Sequence, residues 1–370
     1  MPIIPVEWLA PLMFAVLLLF MVSGFPVAFA LAANGLLFGY IAIEQGLMSV
    51  ALLQALPDRI FGIMSNETLL AIPFFTFMGL VLERSGMAED LLETIGQLFG
   101  RVRGGLAYAV ILVGALLAAT TGVVAASVIS MGLISLPIML KYGYSQSVST
   151  GVIAASGTLA QIIPPSLVLI VMADQLGVSV GVMYQGALIP ALLLVLLYIA
   201  YVFVITRVQK NALPALPAEA YYIGQSNSGA RILKAVVFVL MPPLALVFLV
   251  LGTIFLGIAT PTEGGAMGAV GALLIAASKK RLNLDLLKQS IDSTTKLSCF
   301  VLFILIGSTV FGLTFRAVEG DVWVEQLMGD LPGGELGFLI AVQILIFVLG
   351  FFLDFFEIAF IVIPLLVPVA

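Results

Sequence analysis

Histidine is missing altogether from the 370 residues, and cysteine occurs once, at Cys299. Without imidazole there is no histidine-ligated metal centre and no Ser-His-Asp relay. A single thiol forms neither an internal disulfide nor a thiolate cluster. No glycine-rich stretch ends in Gly-Lys-Ser or Gly-Lys-Thr, so there is no P-loop, and ATP-driven work would need a motor on another chain. Charge is scarce as well, at 9% of residues against roughly 25% in a soluble domain.

What is present is apolar: 62% of residues are hydrophobic and the mean hydropathy is +1.23. A surface facing lipid must be greasy and its backbone must satisfy itself, which leaves helices or closed barrels. Barrel strands alternate polar and apolar residues. These segments are apolar on every face, which predicts an all-α polytopic membrane protein. The opening MPIIPVEW lacks the basic start of a cleavable signal peptide, so the first apolar run is read as a retained span. The net charge of −5 gives no reason to expect nucleic acid, and the 15 basic residues serve better as topology markers.

About 20 apolar residues cross a bilayer as a helix. Charge-free runs cover 8–43, 104–140, 142–173, 175–206, 235–262, 297–315 and 336–353. Several are too long for one span and need a break. The candidates are Gly24-Phe25-Pro26, the patch Thr120–Ser127, Pro164-Pro165 and Thr260-Pro261. Basic residues gather at Arg101/Arg103, Arg207/Lys210, Arg231/Lys234 and Lys279-Lys280-Arg281, which the positive-inside rule places in the cytoplasm. The stretch 207–234 is long, polar and rich in Pro, Ser and Gly, and reads as a cytoplasmic linker between two halves.

The halves resemble each other. Pro26 of SGFPVAFALAANGLLFG matches Pro261 of GIATPTEGGAMGAVGALL, 235 positions on. Gly104-Gly105 match Gly333-Gly334, 229 positions on, and Pro137 matches Pro364, 227 positions on. The flanking charges are swapped. Arg101 and Arg103 flank the first glycine pair, whereas Asp330 and Glu335 flank the second. Similarly, the early spans of the first copy end at Glu44 and those of the second at Lys279-Lys280-Arg281. Exchange of the basic side is the mark of an inverted-topology repeat, a transporter architecture. The predicted organisation is a first repeat over 1–206, the linker 207–234, and a second repeat over 235–370.

Arg103 and Lys141 bracket the run 104–140. If both are cytoplasmic, the run enters the bilayer and returns, as a re-entrant hairpin with its tip near Thr120–Ser127. A broken helix at membrane depth bares N–H and C=O groups, tolerated only where protein, water or an ion satisfies them. The hydroxyls of Thr120, Thr121 and Ser127 can join bared carbonyls as ligands for a hard alkali cation, while amides at half-helix starts suit anions. Small residues where spans touch are the competing explanation. The second copy places Asp354 and Glu357 in an apolar run, in a hairpin over about 336–370. A carboxylate there faces a cavity or partner, or else sits at the interface and snorkels. SGTLAQIIPPS (156–166) is broken by Pro164 and Pro165, and Gly157, Thr158 and Ser166 offer amides and hydroxyls to the hairpin tip. A simple proline kink is the bland alternative. Glu263 is either a pathway carboxylate or a scaffold residue paired with a base. AEDLLETIGQLFGRVR (88–103) has the pattern of an amphipathic helix at the interface.

The motifs LLAIPFFTFMGLVLERSGMAEDL (69–91), GTLAQIIPPS (157–166) and GIATPTEGGAMG (257–268), taken together, closely resemble the large membrane subunit of tripartite ATP-independent periplasmic (TRAP) transporters. The resemblance covers essentially the whole chain. It implies a non-enzymatic permease in the bacterial inner membrane that takes up an organic acid, coupled to sodium and without a bound cofactor. The implied partners are a small membrane subunit and a soluble periplasmic binding protein that delivers the substrate. The implied fold is elevator-type, with ion and substrate sites at two hairpin tips and facing unwound helices. Carried onto this sequence, the sites fall at Thr120, Thr121, Gly122, Gly157, Thr158, Pro164, Pro165, Ser166 and Asp354, with Thr120, Gly122, Thr158 and Asp354 as sodium candidates. The first tip reads Thr-Thr-Gly-Val where the family often has Gly-Ser. A passive channel, or a permease driven by a separate ATPase, is the alternative function. An intramembrane enzyme is disfavoured by the missing histidine and by the lack of a recognisable protease pair of aspartates. The second half ends six residues after Pro364 without a counterpart of GTLAQIIPPS, so a continuation of about 60 residues is expected for a complete second repeat.

Overall fold

The long apolar runs become helices, and they break where glycine or proline stops the hydrogen-bond ladder. The computed structural model describes residues 4–121, 124–209, 211–217, 234, 236–329, 332–351 and 353–366. Every regular element among them is helical. The order is α1 (Val6–Val22), α2 (Val27–Glu44), α3 (Val50–Gln54), α4 (Leu56–Met64), a 3-10 turn (Thr68–Leu70), α5 (Ala71–Arg84), α6 (Met87–Phe99), α7 (Gly105–Thr121), α8 (Val124–Lys141) and α9 (Gln146–Thr158). There follow a 3-10 turn (Leu159–Gln161), α10 (Leu167–Leu176), α11 (Val180–Val208), a π turn (Val236–Leu240), α12 (Met241–Phe255), α13 (Pro261–Ser278) and α14 (Leu284–Ala317). The last elements are α15 (Gly320–Gly329), α16 (Gly334–Leu349), α17 (Phe355–Glu357), a π turn (Ile358–Val362) and α18 (Ile363–Leu366).

Among the described residues four stretches are long and apolar enough to cross a membrane: Val27–Glu44, Val180–Val208, Val236–Phe255 and Leu284–Ala317. Two bent pairs raise this to six, one of them Val50–Met64 with Thr68–Arg84, bent by 52°. Helix α11 shows why burial is no guide to hydrophobicity here. Only 17% of its most apolar window is buried, and Ile189, Leu192, Leu196 and Leu197 point outward. A helix apolar all round with so little protein against it is solvated by lipid.

The chain divides into two units by its internal contacts: residues 1–67, 171–178 and 297–370 in one, and 68–170 and 179–296 in the other. The boundary does not follow the linker. Each unit draws on both halves of the sequence, and α10 and α14 run from one unit into the other.

In the unit containing 68–170, α13 lies along α5. Its glycines permit the approach. A Cβ on Gly265 would sit 3.0 Å from Phe74 Cβ, and one on Gly268 would sit 2.5 Å from Met78 Sδ. Helix α6 is amphipathic as the sequence implies. It buries Leu91, Leu92 and Ile95 and packs against α7. Its Asp90 accepts from Lys279 Nζ at 2.9 Å and from Arg281 at 2.9 and 3.0 Å. In the other unit, α2 meets the second half of α14. A Cβ on Gly35 would be 2.8 Å from the carbonyl oxygen of Val310, and Thr314 Oγ1 donates to the Gly35 carbonyl at 2.8 Å. Buried Asn34 donates to the Met13 carbonyl at 2.8 Å, tying α1 to α2.

Left-handed turn residues recur along the chain. Gly24 and Gly257, Gly46 and Lys280, Gly86 and Glu319, and Gly104 and Gly333 all have positive φ, each pair 229 to 234 positions apart. Lys280 and Glu319 hold that conformation without glycine's freedom, at φ 55° and 60°.

Candidate functional site

The run from Gly104 to Leu140 forms two helices, α7 and α8, of 17 and 18 residues. Each is about 25 Å long, yet their outer ends lie together. The amide of Leu106, in the first turn of α7, donates to Tyr144 Oη at 3.2 Å, just past the end of α8. The chain therefore doubles back. Gly122 and Val123, where it must turn, lie outside the described residues, as do the side chains of Thr120 and Thr121. Ser127, one turn into α8, is buried.

Helix α9 packs on both arms. A Cβ on Gly114 of α7 would lie 2.7 Å from Ser156 Cβ and 3.1 Å from the Ser156 carbonyl oxygen. One on Gly157 would lie 2.2 Å from Val128 Cγ2 and 3.1 Å from Val128 Cα. The glycines bring three backbones close, the use that small residues have between membrane helices. Of the site residues expected from sequence, this groups Ser127, Gly157 and Thr158 with the arms of the hairpin. Thr158 Oγ1 is exposed and donates to the Ala155 carbonyl at 2.8 Å. Beyond it the helix tightens to a 3-10 turn and stops. Pro164, Pro165 and Ser166 are buried, and Ser166 Oγ donates to the Gln161 carbonyl while accepting from the amide of Leu169 at 3.4 Å. The hydroxyl of Ser166 thus closes the break by taking over helix-end groups that have no ladder partner.

The base of the hairpin carries a feature the sequence did not announce. Residues 211–217 belong to the stretch expected to be a linker, but they are packed. Gly104 N donates to the Leu213 carbonyl at 3.2 Å, Ser145 N to the Ala212 carbonyl at 2.8 Å, and Leu216 N to the Gly100 carbonyl at 3.0 Å. Leu213 is fully buried, worth about 1.5–3 kcal/mol for a leucine side chain. Gly104 needs its φ of +77° to present that amide, and a Cβ there would be 2.9 Å from Thr206 Cγ2 on α11. Burial pushes the Tyr144 phenol up to about 12, opposed by the amide of Leu106. A crevice of about 200 Å³ opens beside this base, lined by Leu92, Gly96, Leu106, Ile138 and Tyr142, with Glu89 and Glu93 at its lip.

Asp354 lies in the other unit and is described with it. Its Oδ1 accepts from the amide of Phe355 at 2.8 Å, and Glu357 Oε2 accepts from the amide of Asp354 at 3.0 Å. This is a reciprocal cap on a helix start. Glu357 is buried and so occupied, and Asp354 is exposed. Ser308 Oγ of α14 donates to the Phe360 carbonyl in the π turn that follows. Glu263 is likewise a cap: Oε2 accepts from Thr260 N at 2.7 Å and Thr260 Oγ1 accepts from Glu263 N at 3.2 Å. Among the described residues Glu263 has no ion pair with a base, and its partner is Thr260. Among the described residues no three His, Cys, Asp or Glu side chains group as a metal site.

Sequence reasoning also passed over Asp174, the one charge between two apolar runs. It sits on α10 and accepts from Asn66 Nδ2 at 2.6 Å and Gln175 Nε2 at 3.2 Å. Its isolation between runs was the available signal.

The model of the family "Tripartite ATP-independent periplasmic transporter, DctM component" matches residues 14–370. The C4-dicarboxylate TRAP transporter large permease protein DctM of Pseudomonas aeruginosa is 31% identical over 86% of this chain and 72% of its own length. That of Vibrio cholerae is also 31% identical, over 97% of this chain and 80% of its own length. The sialic acid TRAP transporter large permease protein SiaM of Vibrio cholerae is 25% identical, over 94% and 78%.

Proposed function

The chain belongs to the DctM family of tripartite ATP-independent periplasmic transporters, and from that premise we propose that it carries an organic acid inward across the bacterial inner membrane, driven by sodium. The single observation that carries this reading is the family match along 14–370. The relatives' names supply the substrate class: C4-dicarboxylate for two of them and sialic acid for the third. These are carboxylic acids, so the cargo proposed is a small carboxylate.

Architecture supports the reading in two ways. The apolar run 104–140 doubles back on itself, as a re-entrant hairpin must. The positive-φ residues recur at a near-constant spacing across the linker, as expected of two repeats over 1–206 and 235–370. Repeats that exchange their basic side place the cargo site at the middle of the membrane. In this reading Thr120, Gly122, Thr158 and Asp354 bind sodium. Thr121, Ser127, Gly157, Pro164, Pro165 and Ser166, all in the unit containing 68–170, shape the cargo site. A small membrane subunit and a periplasmic binding protein complete the assembly, and the binding protein selects the acid.

The test is uptake of a radiolabelled C4-dicarboxylate into proteoliposomes holding the large and small subunits. Uptake should need both an inward sodium gradient and added binding protein. A channel would pass the acid without either, and that result would end the sodium-coupled reading.

A further inference from the structure

We infer that the crevice between α7, α9 and α11 seats one acyl chain of an anionic phospholipid, whose headgroup lies on Arg103 and Arg207. The site goes beyond the transport reading and does not depend on it.

The crevice has a volume of about 310 Å³ and is lined by Ile111, Gly151, Val152, Ala155, Tyr198 and Tyr201. All six belong to the unit containing 68–170. Small residues on α9 leave the space. Gly151 and Ala155 are four positions apart on one helix face, and a Cβ on Gly151 would meet nothing within 4 Å. Ile111 and Val152 are buried, whereas Gly151 and Tyr201 are exposed, so the crevice opens outward. It opens beside the lipid-solvated surface of α11, where Leu196 and Leu197 are exposed. The lining is mostly hydrocarbon and offers water few partners. A methylene takes about the room of a water, about 30 Å³, so the crevice houses on the order of ten of them, a large part of one acyl chain.

Charge selects the lipid. A Cβ on Gly104 would sit 2.9 Å from Thr206 Cγ2, so Arg103 and Arg207, their neighbours in sequence, stand together at one end of α7 and α11. Both are exposed, and among the described residues neither forms an ion pair with a carboxylate. The Arg207 guanidinium lies over the Phe203 ring, 4.8 Å from its centroid, which steadies it against the helix. Tyr201 is six positions from Arg207, about 9 Å along the helix. The headgroup layer of a bilayer face is about 5–8 Å deep. A phosphate on Arg207 therefore sets the first carbons of its chain at the mouth of the crevice, with Tyr201 at the boundary that tyrosine favours. The positive-inside rule gives this end to the cytoplasmic leaflet, which carries the anionic lipid. Two arginines beside such a headgroup give roughly a thirtyfold preference over a zwitterionic one, shrinking as salt is added.

The test titrates the purified, delipidated full chain in detergent with phosphatidylglycerol and, separately, with phosphatidylcholine, read by native mass spectrometry. Expected is one phosphatidylglycerol held per chain, roughly thirtyfold more tightly than phosphatidylcholine. Ala155→Trp, which fills the crevice, should abolish that binding. Arg103→Gln with Arg207→Gln should bring the two lipids level. Equal binding of both lipids by the wild type, or a preference that survives loss of both arginines, overturns the inference. Should Ala155→Trp fail to fold, the wild type is loaded with phosphatidylglycerol bearing a photoreactive group on its acyl chain. Adducts confined to 151–155 and 198–201 support the site. Adducts spread along Leu192–Leu197 would make the lipid ordinary solvent and overturn it. Displacement of the labelled lipid by an added small membrane subunit would make the crevice a protein interface, and overturns it equally.

Discussion

Leu106 and Tyr144 are 38 residues apart in sequence and joined by a hydrogen bond of 3.2 Å. Between them lie two helices of 17 and 18 residues, which end to end would hold the pair about 50 Å apart. Arg103 and Lys141, which flank the same run, are therefore expected on one face of the bilayer. Single cysteines at these positions, in a Cys299→Ser background, should both be blocked by a membrane-impermeant maleimide applied from the cytoplasmic side. Labelling from opposite sides would remove the re-entrant hairpin.

Tyr144→Phe takes away the oxygen that, among the described residues, accepts from the Leu106 amide. An orphaned buried donor costs about 1–3 kcal/mol, so the variant should melt lower by that amount. The phenol also gives a pH signature. Its ionisation is raised from about 10 to about 12 by burial, so the folded state holds the proton that the unfolded state releases. That stability is complete below pH 10 and fades as pH rises toward 12. Tyr144→Phe should flatten the alkaline limb of a stability curve and leave neutral pH without slope. An unchanged alkaline limb would assign the slope to other groups.

How much of this was legible in the sequence follows from which forces leave a pattern. The helices were legible, because bilayer burial demands apolar runs and glycine or proline marks their ends: α1 gives way to α2 at Gly24-Phe25-Pro26, and α9 to α10 before Ser166. The start of α14 was not, since Asp285, Lys288, Asp292 and Lys296 break the apolar run while lying at helical spacing. The strap 211–217 was invisible because its bonds run through the main chain, which any residue supplies. Asp354 and Glu357 could be read two ways, as D-x-x-E serves a cap as well as a cation. The division into interleaved units could not be read at all, since it depends on which helices pack rather than on where the charges fall.

Gly157→Ala and Gly151→Ala, on the same helix, should move stability in opposite directions. At Gly157 the new methyl meets Val128 at 2.2 and 3.1 Å, whereas at Gly151 it meets nothing within 4 Å. Overpacking costs about 1–3 kcal/mol, and replacing an unhindered helical glycine gains about 0.5–1 kcal/mol. Thermal unfolding in detergent should show Gly157→Ala below and Gly151→Ala at or above wild type. Equal midpoints would mean that α9 yields easily against α8.

Asp90 holds Lys279 and Arg281 together at the end of α13. The three side chains are partly exposed, at 22%, 16% and 42%, so each pair contributes about 0.2–1 kcal/mol and less at high salt. Asp90→Ala should lose about 1 kcal/mol at low ionic strength, with the deficit shrinking as salt is added. Arg281→Ala should cost more than Lys279→Ala, because Arg281 also donates to the Ser85 carbonyl at 2.8 Å. The reverse order would make Lys279 the anchor of the turn.

Asp354 has two possible duties, and one substitution separates them. Asparagine caps a helix start as well as aspartate does, so Asp354→Asn keeps the bond from Phe355 N and removes only the charge. Alanine removes both, at about 1 kcal/mol for the cap. If Asp354 binds sodium, Asp354→Asn should melt with wild type yet need more sodium for half-maximal uptake. Asp354→Ala should show that same sodium shift together with a lower midpoint. Wild-type sodium dependence in Asp354→Asn would leave Asp354 a cap alone.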